Sequence, residues 1–216
     1  MTASSGTSRS QAGAQESGPQ ESGPQAERSR DGRRAKGERR RRAIIDATLR
    51  VIECDGISGV SHRNIARAAE VPPASIAYYF DNIDDLLVAT LLDSCETLIA
   101  EMHRLPDAVA DDSSRWVSAT AAMLANMVRN HRGRTIAEYE LYLLAARRPA
   151  LRSAARRWIE AASGYVGAGA EGSEGAAKAL FAVIDGLLLQ ALIADETPGP
   201  EYFEPALAYL VRPAHP

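Results

Sequence analysis

Between Ser61 and Phe80 the chain has room for two short helices joined by a tight turn. Ser61 is a strong N-cap, because its hydroxyl can accept from a backbone N–H of the first helical turn. Val60 and Ile65 stand at the spacing of a hydrophobic staple. The segment continues to about Ala69, and Glu70-Val71-Pro72 interrupts it. Pro73 suits the first position of the next helix, where the N–H it lacks would have no helical partner. That second helix runs from Ala74 to Phe80, and Val71 and Ile76 repeat the staple spacing.

A longer helix precedes the pair. From Glu38, the residues Ile45, Leu49 and Ile52 recur at i, i+4 and i+7, with Ile44, Thr48 and Val51 beside them. Gly56 stops it after Asp55. Another helix opens at Asp81 or Asn82. Asp84 and Asp85 fall in its first turn, where acids suit the helix dipole, and it carries Leu86, Leu87, Leu91, Leu92 and Cys95 to about His103. Helices over about 114–130, 133–147, 149–164, 176–195 and 202–210 follow, with a glycine-rich loop expected over 164–175. No stretch alternates like a strand, so the fold class is all-α. Residues 1–36 read as a disordered tail with a basic end. QESGP occurs twice in tandem there, and residues 1–27 hold almost no large apolar side chain to offset ordering entropy. Residues 37–84 form a three-helix unit, and 85–212 a larger helical domain.

The net charge of −3 argues against a nucleic-acid partner until it is mapped along the chain. Residues 28–67 hold 12 Arg and Lys against 5 Asp and Glu, whereas residues 68–216 hold 12 against 20. The basic excess falls on an arm, Arg39, Arg40, Arg41 and Arg42, and on the helices after it. Three helices in this order, the last two closely joined, make a helix-turn-helix unit. Its last helix must enter the major groove, so its outer face must be small and polar. Ala74, Ser75 and Ala77 are small enough, and Tyr78 and Tyr79 bring hydroxyls. His62 and Arg63, at the start of the preceding helix, suit phosphate contact.

These residues resemble a known family. The run AIIDATLRVIECDGISGVSHRNIARAAEVPPASIAYYFDNIDDLLVATLL is similar to the DNA-binding domain of TetR (tetracycline-repressor-like) regulators. The resemblance implies a homodimer that binds a palindromic double-stranded operator. It implies repression, relieved when a small-molecule effector enters the C-terminal domain. An activator, or a regulator without a ligand, would share the fold. By position, Ser61, His62 and Arg63 fall where phosphate contacts occur, and Ala74, Ser75, Ala77, Tyr78 and Tyr79 fall on the recognition helix. Three positions depart from the family pattern. Glu70 stands where Gly is frequent, so the turn is expected to differ. Ala77 stands for a frequent Tyr, and Ile83 for a common Lys.

The likeness is looser in the C-terminal half and rests on AEYELYLLAARRPALR at 137–152. An effector pocket is expected among helices from about 86 to 190, with Met102, His103, Trp116, Met123, Met127, Tyr139, Tyr142 and Phe181 as candidate lining. A dimer interface is expected on the helices near 149–164 and 176–195, through Trp158, Leu180, Ile184, Leu187, Leu188 and Ala191.

Other classes are excluded by what is missing. Cys54 and Cys95 have no CxxC spacing, so neither a disulfide scaffold nor a zinc site is expected. No apolar run is expected to approach the ~18–20 residues that span a bilayer, and no secretion signal is expected at the start of the chain. A cytoplasmic protein with no membrane partner is expected. His62, His103, His131 and His215 form no HExxH, and no GxSxG, P-loop or dinucleotide fingerprint occurs. Catalysis, a cofactor and a bound metal are not expected.

Overall fold

The computed structural model describes residues 24–102, 113–169 and 174–211. Its helices are α1 Pro24–Asp55, α2 His62–Ala68, α3 Pro73–Tyr79, α4 Ile83–Met102, α5 Ser113–Asn130, α6 Arg132–Leu144, α7 Arg152–Gly169, α8 Glu174–Ile193 and α9 Pro200–Val211. Tight 3-10 turns lie at Ile57–Gly59 and Pro149–Leu151. No strand occurs among the described residues.

Two expectations need correction. α1 begins at Pro24, so residues 24–36 are helical where a disordered tail was expected. Ala, Arg, Lys and Glu dominate that stretch, and all are good helix formers. Residues 1–23 lie outside the described residues. Similarly, α7 runs on to Gly169, through the first half of the expected glycine loop, and residues 170–173 lie outside the described residues. By its internal contacts the chain divides between Arg39 and Arg40.

Within the unit from Arg40 onward, the three larger apolar cores among the described residues follow one another. Ile44, Ile45, Ala47 and Val51 of α1 pack with Ile65 and Ala66 of α2, Ile76 of α3, Phe80 and Leu86. A second core joins Ile52 of α1 and Leu87 and Leu91 of α4 to Ala137 and Leu141 of α6, Leu151, and Ala154 and Ala155 of α7. The three-helix unit and the larger domain therefore share a layer. A third core packs α5, α8 and α9 around Leu124, Leu180 and Phe203.

The local capping explains the short helices. Ser61 Oγ accepts from the Asn64 N–H at 3.2 Å, and Asn64 Nδ2 donates to Gly59 O at 2.8 Å. Asn82 Oδ1 accepts from the Asp85 N–H at 2.9 Å and caps α4. The end of α2 closes with the Val71 N–H on Ala66 O and the Glu70 N–H on Arg67 O. This paired closure requires a left-handed residue after the C-cap, and Glu70 has φ 54°. The turn is thus kept despite Glu, contrary to expectation, because the two bonds and the Val71 contact hold it. Left-handed backbone costs a non-glycine residue roughly 1–2 kcal/mol, against which glycine loses about 0.5–1 kcal/mol in chain entropy. Glu70→Gly is therefore expected to raise stability by about 0.5–1 kcal/mol, checked by denaturant unfolding. A lower midpoint would show that Glu70 is unstrained.

Within α8, Gly175–Ile193 is long and apolar enough to cross a membrane, which corrects the expectation that no run is. One face of this helix, Leu180, Ile184, Leu188 and Ala191, is buried against α5 and α9 within the chain.

Candidate functional site

The outer face of α3 is small and polar, as a groove-entering helix requires. Ile76 is fully buried and anchors the helix, while Ala74 and Ala77 are exposed, Ser75 is half-buried and Tyr78 is 80% exposed. Tyr79 packs against the core and meets Tyr78 edge-on, with ring centroids 4.9 Å apart. On α2, His62 and Arg63 are exposed in the first turn, beside the Ser61 cap. Arg50 Nη2 donates to Ala68 O at 3.0 Å and ties α1 to the end of α2.

The basic arm divides in its behaviour. Arg39 and Arg40 are exposed. Arg41 lies over the Phe80 ring, 5.2 Å from its centroid. Arg42, expected with the others to face nucleic acid, instead pairs with Asp46 at 3.1 Å and with Asp93 of α4. Burial raises the pKa of Asp93, and the Arg42 charge opposes that rise. Asp84, at the start of α4, pairs with Arg148.

In the C-terminal half, a cavity partly open to solvent is lined from α4, α5, α6, α7 and α8. Met123, Met127, Tyr139 and Phe181 line it. Trp116 does not; it is buried in the core between α5, α8 and α9, because its ring fills that interface. Tyr142 packs on the core shared by α4, α6 and α7 instead. Met102 ends α4, and His103 lies outside the described residues.

The expected interface residues are also redistributed. Leu180, Ile184, Leu188 and Ala191 are buried inside the chain. Leu187 is half-buried on the same core, and Trp158 lines the cavity. The large apolar side chains that α8 leaves exposed among the described residues are Leu189 and Ile193.

Leu98, Thr120, Glu138 and Asp185 are among the cavity residues that the sequence reading missed. The signal for Asp185 was available, as an acid in the middle of an otherwise apolar helix. Glu138 is buried and accepts from Arg134 Nε at 3.0 Å; burial raises its pKa, and the Arg134 bond opposes this. Tyr139 donates its hydroxyl to Asp185 Oδ1 at 2.8 Å. Burial pushes both groups above their usual ranges.

α6 also reaches the other way. Glu140 Oε2 accepts from the Ile57 N–H at 2.7 Å, in the turn that leads into α2. At the opposite end of α6, Gly133 passes so close to α1 that a Cβ would lie 2.8 Å from Glu53 Cγ. One helix thus touches both the cavity and the backbone ahead of the helix-turn-helix.

Comparison with known proteins matches this arrangement. Residues 44–90 fit the model of bacterial regulatory proteins of the tetR family, and residues 111–213 fit the tetracyclin repressor-like C-terminal domain. The multidrug binding protein EbrR complexed with ethidium has a TM-score of 0.70 and 38% identity, over 80% of this chain and 99% of that one. EbrR has also been solved with imidazole, proflavin and malachite green. A TetR-family member from Streptomyces coelicolor A3 has a TM-score of 0.70 and 38% identity, over 80% of this chain and 98% of that one. The nicotine-responsive transcriptional repressor HdnoR of Paenarthrobacter nicotinovorans is 30% identical over 110 residues, 51% of this chain and 56% of that protein. The chain thus spans about half the length of that curated relative, and 26% of the BetI regulator of Rhizobium meliloti, with 46% identity over 52 residues.

Proposed function

Because the chain belongs to the TetR family of DNA-binding transcriptional regulators, we propose that it is a homodimeric repressor. It binds a palindromic operator and leaves it when a small aromatic molecule fills the cavity between α4 and α8. The observation that carries this reading is the outer face of α3: Ala74, Ala77 and Tyr78 exposed over the buried anchor Ile76. Two such helices in a two-fold dimer would enter successive major grooves about 34 Å apart. The protein works by binding, acts on cytoplasmic DNA, and catalyses nothing.

Selection of bound sequences from a random DNA pool tests the reading, followed by release with the molecules that EbrR carries: ethidium, proflavin and malachite green. A palindrome with half-sites one turn apart is expected. Failure to enrich any sequence would overturn it. A reporter whose expression falls when the protein is deleted would make it an activator.

The arm supports a further expectation. Each phosphate contact contributes about 0.9 to the slope of log K against log salt. Arg40→Ala is expected to flatten the slope by about that amount while weakening all sequences alike. Arg42→Ala should leave the slope unchanged, since Asp46 and Asp93 already hold that side chain. An unchanged slope in Arg40→Ala would remove the arm from the interface.

A further inference from the structure

The two cavity carboxylates have different surroundings. Glu138 meets the Arg134 guanidinium of its own helix at 3.0 Å, so a positive charge already stands against it. Asp185 accepts only the neutral hydroxyl of Tyr139, at 2.8 Å, and no ion pair among the described residues includes it. A carboxylate held in an apolar wall without a counter-charge is costly. Nearby, Thr120 Oγ1 is fully buried, lines the same cavity and has no hydrogen-bond partner. The rings of Trp158, Phe181 and Tyr139 complete the walls.

We propose that the cavity is built for an aromatic cation, with Asp185 as the residue that reads its charge, the Tyr139 hydroxyl as the positioning group, and Trp158 and Phe181 as the flat walls. The inference rests on the reading of this cavity as the effector site. A desolvated cation gains both from a half-buried carboxylate such as Asp185 and from the faces of aromatic rings. A neutral molecule of the same shape leaves Asp185 uncompensated, and an anion meets two carboxylates. Glu138 cannot take the same part without giving up Arg134. Thr120 offers a hydroxyl to a polar substituent of the ligand, which turns an unsatisfied group into a contact.

The test uses the full chain without DNA and follows ethidium binding by fluorescence, with dihydroethidium as its neutral reduced counterpart. The protein is expected to bind ethidium at least about tenfold more tightly than dihydroethidium. Asp185→Asn should lower ethidium affinity by about 10–100-fold and leave dihydroethidium within about twofold. Glu138→Gln should change ethidium affinity by less than about threefold, because Arg134 already answers that charge. Tyr139→Phe, which leaves Asp185 unoriented, should cost about 3–10-fold, and it keeps the test open if the Asn variant fails to fold. Equal binding of the two dyes, undiminished ethidium binding in Asp185→Asn, a larger loss in Glu138→Gln, or no ethidium binding at all overturns the inference. Operator release is measured separately with malachite green. A protein that binds ethidium through Asp185 yet keeps its operator when loaded would sink the effector reading and leave the cation site standing.

Discussion

Replacing Ile76 by Ala is expected to destabilise the protein by about 2–5 kcal/mol, the range for truncating a fully buried Ile. Ile76 has no exposed surface and sits where α1, α2 and α3 converge, so its neighbours cannot collapse into the space without moving α3. Operator binding should fall with it, because the recognition helix loses its only fully buried anchor. Tyr78→Ala, two residues along, is the contrasting variant. Its ring is 80% exposed, so stability should stay within about 0.5 kcal/mol. Operator affinity should nevertheless drop by about 1–3 kcal/mol if the hydroxyl or ring meets the duplex. Denaturant unfolding and a binding titration on each variant separate the two effects. Equal losses of stability in both would mean that α3 is not docked as described, and unchanged operator affinity in Tyr78→Ala would put the wrong face toward DNA.

Glu140→Ala is expected to cost about 1.5–3 kcal/mol, since it removes a charge-assisted hydrogen bond and leaves the Ile57 N–H without its acceptor. Glu140→Gln keeps an acceptor oxygen and should cost less. The functional effect is expected to be larger than the loss of stability suggests. Thr135, Glu138 and Tyr139 line the cavity from α6, and the next residue, Glu140, holds the backbone just ahead of α2. A ligand that shifts α6 is therefore expected to act on the entry to the helix-turn-helix through this bond. In Glu140→Ala the ligand should still bind, but the ratio of operator dissociation constants with and without it should shrink toward one. By reciprocity, DNA should then affect ligand affinity equally little. A ratio unchanged from the parent protein would show that the signal travels by another route.

Much of this was legible in the sequence where caps and punctuation are local. Ser61 and Asn82 set helix starts by hydrogen bonds within three residues and Pro73 by its fixed backbone angle, and all three stand where the pattern puts them. The start of α1 was not legible, because a polar, charged segment carries no apolar period while still favouring helix. For the expected interface residues the limit was different. An apolar helix announces burial but not whether the covering surface belongs to the same chain, and for Leu180, Ile184 and Leu188 it does. Thr120 carries no such signal as a cavity residue, since lining is a property of packing between distant segments, here α5 and α8. Arg42 belongs to the same class: its partner Asp93 lies 51 positions along the chain.

The layer in which Ile52, Leu87 and Leu91 pack against Ala137, Leu141 and Ala154 bears on how such a protein can be re-engineered. A chimera cut near residue 84 would join one half of that layer to a foreign surface. The DNA-reading head is not a cassette, and grafts that keep its specificity will need the matching side chains of α6 and α7 transplanted with it.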